Sequence, residues 1–210
     1  SRGEVTETAE EMCWRVARAI AAAEVTWGKT EEQVHAVASR FYDLMVDGYF
    51  LPNSPTLMNA GKDNGLQYSA CFVLPVGDSM DEIFEAVKRA AIIHKSGGGT
   101  GFSFSRIRPK GDTVSSSGGR SSGPVSFMRV FNQATEAINQ GGFRRGANMA
   151  VLRVDHPDIM EFIRAKNEEG SPVNFNTSVG VTSRFMEAVE RAEPFDLINP
   201  QTGTVNKTVP

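Results

Sequence analysis

From residue 69 onward, short apolar runs of strand length alternate with amphipathic stripes of helical period, and this alternation constrains the fold more than any other feature. Ser69–Val76 reads as a strand. Met80, Ile83, Phe84, Val87 and Ala91 then form a helix stripe behind the capping-box pair Ser79 and Glu82. Phe102, Phe104 and Ile107 alternate as in a second strand. Gly123 and Pro124 open a helix that carries Phe127, Phe131, Ala134 and Ile138 and closes at Gly141–Gly142. Met149, Val151 and Val154 predict a third strand, and His156–Pro157 opens a helix reaching about Lys166. Val173, Phe175, Thr177, Val179 and Val181 alternate as a fourth strand, followed by a helix with Phe185, Met186 and Val189. Strands that alternate with helices need crossover connections, so the sheet is expected to be parallel and the class α/β.

Ahead of this lies a helical N-terminal region, residues 1–50, in which Thr8 with Glu11 and Thr30 with Gln33 have capping-box spacing and Gly48 ends the second helix. Residues 51–210 form the α/β part. It begins with an irregular stretch, Leu51 to Leu66, punctuated by Pro52, Pro55, Gly61 and Gly65 and read as a functional loop. After Asn199–Pro200 no closing element is readable. About four strands are too few to close a parallel barrel, so the expectation is a fragment or a split protein.

Composition removes several functions. The 22 Lys and Arg against 25 Asp and Glu give a net charge of −3, which leaves no basic excess for nucleic-acid binding. Two cysteines, Cys13 and Cys71, exclude a disulfide scaffold and point to a reducing cytoplasm. No run approaches the ~18 apolar residues of a membrane span. His35, His94 and His156 have no ligand spacing, so no metal site is predicted.

Three segments could carry chemistry. Ser96–Gly101 places four glycines after a helix and before a strand, which fits neither a Walker loop nor a dinucleotide fingerprint. It is either a helix C-cap or a place where a ligand lies against bare backbone. Gly141–Gly146 repeats the pattern with Arg144 and Arg145. Residues 106–123 hold Arg106, Arg108, Lys110 and Arg120 among serines and glycines, read as a mobile cationic loop able to hold a triphosphate or simply to be solvated. Cys71 lies in a strand run and on pattern alone is either a core residue or a functional thiol.

The ordered set of these segments closely resembles the catalytic subunit of ribonucleotide reductase. It comprises Asn53-Ser-Pro-Thr-Leu-Met-Asn-Ala-Gly61, Ser69-Ala-Cys-Phe-Val-Leu-Pro75, Gly77-Asp-Ser79, His94 through Gly111, Gln140 through Ala147, Arg153-Val-Asp-His-Pro-Asp158 and Asn174-Phe-Asn176. The long glycine run and the Arg-Val-Asp-His-Pro segment look most like the adenosylcobalamin-dependent class II enzymes. The resemblance implies the first half of a ten-stranded α/β barrel, with a substrate cleft and effector loops in residues 51–210. It implies replacement of the ribose 2′-hydroxyl of ribonucleoside di- or triphosphates by hydrogen, through radical chemistry that adenosylcobalamin initiates. On that basis Cys71 matches one of two reducing cysteines. Thr56, Ser69 and Ala70 match the loop that holds substrate phosphate, and Gly98 and Gly99 match positions where the sugar and base lie against backbone. Asp78, Ser79, Arg108, Lys110, Arg120, Lys166 and Asn167 match the site of a deoxynucleoside triphosphate or ATP effector, bound with Mg. Arg120 is the candidate to replace a family arginine missing near Ser115. The loop Lys166–Ser171 would pass the effector's identity to the cleft. The helices starting near Ser79 and Pro124 would pair with their copies in a homodimer.

The family's Asn-Pro-Cys-Gly-Glu motif and the second reducing cysteine are absent from this sequence, so the remaining half of the reductase is an expected partner. Two other readings stay open: part of a metal-dependent class I large subunit, or a nucleotide-sensing module without catalysis.

Overall fold

The computed structural model describes residues 5–114, 118–138, 146–167 and 172–210 and divides into two units, Ser1–Ala70 and Cys71–Pro210. In the first, helix α1 spans Ala9–Ala21 and α2 spans Glu31–Val46. Both start at complete capping boxes, with Thr8 and Glu11, and Thr30 and Gln33, satisfying each other's free backbone donors. A 3-10 turn, Ala22–Trp27, joins them and ends at Gly28 with φ of 76°. The two helices pack through Trp14, whose ring meets His35 and Tyr42 edge-on at 5.6 and 5.3 Å.

The stretch after Gly48 is less irregular than its prolines predict. Ser54–Asn59 forms a short helix, α3, capped by the Asn53 side chain. Pro55 sits in its first turn, where the missing N–H costs nothing. Arg15 ties this segment to α1: it pairs with Glu7 at 2.6 Å and donates to the carbonyls of Leu57, at 3.0 Å, and Ala60.

The second unit is built on four parallel strands in the spatial order β1 (Cys71–Leu74), β2 (Gly99–Ser103), β5 (Asn148–Arg153), β6 (Phe175–Gly180). The expected fold class, a parallel α/β sheet behind a helical region, is therefore present. The strand order follows the chain without reversal, unlike a doubly wound sheet. Helix α4 (Met80–Lys95) connects β1 to β2, and α5 (Gly123–Ile138) precedes β5. Short α6 (Ile159–Arg164) precedes β6, and α7 (Ser183–Arg191) follows it. Phe102, Phe104, Ala150, Leu152 and Phe175 are buried with Ile83 of α4, Phe131 of α5 and Phe162 of α6. Phe131 meets Phe102 at 4.6 Å and Phe104 at 5.4 Å.

Two hairpins were not anticipated. Thr113–Val114 (β3) pairs antiparallel with Gly119–Arg120 (β4), so the described part of the cationic loop is folded back on itself. Phe195–Ile198 (β7) pairs with Val205–Val209 (β8), so the chain does form an element after Asn199–Pro200. No described helix is long and apolar enough to cross a membrane.

Candidate functional site

Side chains alternate across a strand, so the four strands have two faces. Phe72, Thr100, Phe102, Ala150 and Leu152 point toward the helices. Cys71, Val73, Gly99, Gly101, Met149 and Val151 point the other way. Val73 is 85% exposed on that face, and Cys71, which opens β1 opposite Gly99, is an exposed free thiol. The core reading of Cys71 does not hold; the buried cysteine is Cys13. A Cβ on Gly101 would make only ordinary contacts, the nearest 3.7 Å from the Met149 Cβ, so packing within the chain does not demand a glycine there.

The glycine run closes a helix and opens a strand at successive positions. Gly97, with φ of 85°, donates to the His94 carbonyl, and Gly98 donates to that of Ile93, closing α4. Gly99 then enters the sheet beside Cys71. In the first unit Thr56 is already engaged: its hydroxyl lies 2.8 Å from Asn53 Oδ1 and 2.9 Å from the Tyr68 carbonyl. Ser69 and Ala70 end that unit in extended chain, next in sequence to Cys71.

Behind the amino ends of the strands runs a buried polar chain that the sequence did not reveal. The Thr135 hydroxyl donates to the Phe131 carbonyl at 2.8 Å and accepts from Asn148 Nδ2 at 2.8 Å. Asn148 Oδ1 accepts from Thr100 at 2.7 Å, so His94 Nε2, 2.8 Å away, must donate to Thr100. His94 is buried, and its Nδ1 has no hydrogen-bond partner among the described residues. Burial pushes its pKa below the ordinary 6.5. Burial does the same to His156, which is 2% exposed. A histidine held neutral in the fold takes up its proton first in the unfolded chain. Stability should therefore fall as pH drops below about 6.5, with a slope of up to about 1.4 kcal/mol per pH unit for each histidine. Asp158, whose carboxyl burial pushes up, works the other way at more acid pH. Urea titrations at pH 7.5 and 5.5 check this; equal midpoints would contradict it.

At the carboxyl ends of β1 and β2 lies a cavity of about 730 Å³ lined by Asp78, Ser79, Ile83, Arg108, Arg120 and Phe127, among others. Four predicted effector residues, Asp78, Ser79, Arg108 and Arg120, meet here. Ser79 caps α4 in a reciprocal box with Glu82, whose carboxyl the Ser79 hydroxyl and N–H hold below its usual range. Asp78 Oδ1 accepts from the Arg108 backbone N–H at 2.7 Å, and Oδ2 accepts from Nε at 2.7 Å and Nη2 at 2.6 Å. Arg108 is therefore not a free cation on a mobile loop; it is locked to the carboxylate expected to take the ribose. Arg120 reaches back to the Gly111 carbonyl at 2.9 Å.

The remaining predicted effector residues do not line the cavity. The Lys110 ammonium faces Glu161 at 3.3 Å, Lys166 Nζ donates to the Phe175 carbonyl at 2.5 Å, and the Asn167 N–H donates to Arg164. The position near Ser115, residues 168–171 of the expected communicating loop, and Gly141–Arg145 lie outside the described residues. Among the described residues no group of His, Cys, Asp and Glu could hold a metal ion.

Residues 69–209 match the family described as ribonucleotide reductase, barrel domain, and residues 1–65 match ribonucleotide reductase, all-alpha domain. The chain belongs to the ribonucleotide reductase family. It is 57% identical over 172 residues to a vitamin B12-dependent ribonucleoside-diphosphate reductase of Thermoplasma acidophilum, covering 81% of this chain and 22% of that protein. It is 48% identical over all 210 residues to the vitamin B12-dependent ribonucleoside-diphosphate reductase of Mycobacterium tuberculosis, 30% of that protein. A ribonucleoside-diphosphate reductase large subunit of vaccinia virus is 36% identical over 76% of the chain. The chain thus spans less than a third of the length of these relatives.

Proposed function

We propose that this chain forms the part of a cobalamin-dependent ribonucleotide reductase that presents substrate to one reducing thiol, Cys71, and binds a nucleotide effector. The observation that carries the first half is an exposed thiol beside Gly99 on the uncovered face of a parallel sheet. Parallel sheets are covered on both faces in finished folds. A face left open and lined by glycine suits a partner that lies close against backbone, here a ribose and base enclosed by the rest of a ten-stranded barrel. The net reaction is balanced by two thiols. The 2′-hydroxyl leaves as water, the 2′-carbon gains hydrogen, and Cys71 with a second cysteine outside this chain forms the disulfide.

The vitamin B12-dependent relatives share more identity with this chain than the viral large subunit does, which favours the cobalamin-dependent reading over the metal-dependent one. Adenosylcobalamin supplies radical initiation when bound. The cavity around Asp78 does not fit it, since Asp78, Asp81, Glu82, Arg108 and Arg120 line that space with charge. No step is assigned to this chain through the cofactor.

The second half rests on the cavity around Asp78. A capped helix start, a carboxylate able to take ribose hydroxyls and two arginines make a nucleoside triphosphate the fitting occupant. Exposed Met80, Phe84 and Ile92 lie at multiples of four along α4, which supports pairing of that helix with its copy in a dimer. Thermal-shift titration of the folded chain with each of the four deoxynucleoside triphosphates and ATP, with Mg, tests the site. One of them should raise stability, by about 2.7 kcal/mol at a hundred times its dissociation constant. Asp78→Ala and Arg108→Ala should each blunt the shift. A chain indifferent to all five nucleotides would remove the effector site.

A further inference from the structure

Ile107 and Arg108 line the Asp78 cavity, Lys110 follows two residues on, and something must hold the backbone of this segment in place. Asp78 grips the Arg108 N–H from the cavity side. On the opposite side stands the turn His156-Pro157-Asp158, which opens α6. The His156 Nε2–H donates to the Ile107 carbonyl at 2.8 Å, and Nδ1 accepts from the Asp158 N–H at 3.0 Å. Both ring nitrogens are used, one as donor and one as acceptor, which requires the neutral imidazole. Asp158 Oδ2 accepts from the Lys110 N–H at 2.8 Å. Gly123 completes the fit. A Cβ there would stand 2.8 Å from Asp158 Oδ2 and 2.9 Å from the Lys110 Cβ, at a φ of 79° that only glycine adopts without strain.

We propose that His156 and Asp158 are positioning residues of the effector site, fixing the backbone of Ile107–Lys110 so that Arg108 meets Asp78 and the nucleotide in one geometry. This rests on the effector reading above. Neither residue lines the cavity; each acts through the segment it holds. Protonating His156 would place a second donor against the Asp158 N–H and break the turn. The charged groups around the ring are Asp155 and Asp158 of its own turn, Glu161 of α6, Lys110 and Arg106 of the loop after β2, and Arg153 at the end of β5. Burial outweighs the two aspartates and keeps the ring neutral at pH 7.

Two substitutions separate the two bonds. His156→Asn keeps an acceptor near the Nδ1 position and drops the donor to Ile107; His156→Gln keeps a donor near the Nε2 position and drops the acceptor for Asp158. Neither side chain titrates. Whichever deoxynucleoside triphosphate binds the wild-type chain is measured by calorimetry with Mg between pH 5.5 and 7.5. Each variant should bind it about three- to tenfold more weakly at pH 7.5, the loss of one hydrogen bond's ordering. Wild-type affinity should fall toward pH 5.5 more steeply than that of either variant, the nucleotide's own phosphate titration being common to all three. Wild-type binding with variants of equal affinity, or with parallel pH profiles, overturns the clamp alone; a wild type that binds no nucleotide overturns the effector site and the clamp with it. If neither variant folds, Asp158→Asn and Asp158→Ala decide. Asn retains an oxygen for the Lys110 N–H and should bind like wild type, Ala should not, and equal binding by both overturns the proposal.

Discussion

Replacing Cys71 with serine in an intact reductase that carries this segment is expected to lower turnover with dithiol reductants by about a thousandfold or more, because residues that act as a unit fail together. Serine is close in size, and the position is exposed at the start of β1, so the sheet should be unaffected. Nucleotide affinity should stay within about twofold of wild type, since an exposed sulfur-to-oxygen change removes no charged contact. Single-turnover assays and equilibrium binding on the same preparation separate the two. Normal turnover by the serine variant would show that Cys71 does not supply reducing electrons.

Asn148→Leu is expected to cost the second unit about 3 kcal/mol, or roughly 10 °C in melting temperature. Asn148 is 2% exposed and joins Thr100 on one side to Thr135 on the other. Leucine matches its size but leaves the Thr100 hydroxyl hydrogen without an acceptor, and an unsatisfied buried donor costs more than the bond itself contributed. Thr100→Val alone leaves both Asn148 Oδ1 and the His94 Nε2–H unmet, whereas the double variant leaves only the His94 N–H, so the double variant should cost less than the sum of the two single losses. Purely additive losses in the double variant would show that the network is not coupled.

What could be read from the sequence was what is decided within a few residues. The boxes at Thr8, Thr30 and Ser79 join groups three positions apart, an apolar run marks 71–74 and alternation marks 148–153 and 175–180, whereas β2 starts inside the glycine run, three residues before the alternation Phe102, Phe104 and Ile107 that announced it. Helix α3 was hidden because Pro55 reads as a breaker unless it is known to sit in a first turn. The hairpin β7–β8 was hidden because Val205–Val209 is mostly exposed and polar, with no buried face to pattern it. The site residues divide the same way. The family resemblance pointed to Cys71, Gly99, Asp78 and Arg108 one at a time. That Arg108 is held by Asp78, 30 residues away, and its neighbours by His156 and Asp158, nearly 50 away, depends on crossovers that no local pattern encodes. The segment Arg153-Val-Asp-His-Pro-Asp158 was conspicuous in the sequence, but its part in the site was not.

The two-sidedness of the strands divides what different experiments can detect. Leu152, Ala150 and Phe102 decide whether the sheet exists, so any assay of folding or abundance reports on them. Gly101 and Val151, one position along on the same strands, and Val73 on β1 are nearly invisible to such an assay, because the chain has little packing to lose on that side. A saturation screen scored by solubility or protease resistance would rate alternate positions as tolerant. The same library scored by deoxynucleotide production would mark many of those tolerant positions as intolerant. The disagreement between the two screens, read residue by residue with a period of two, would trace the surface proposed to face substrate.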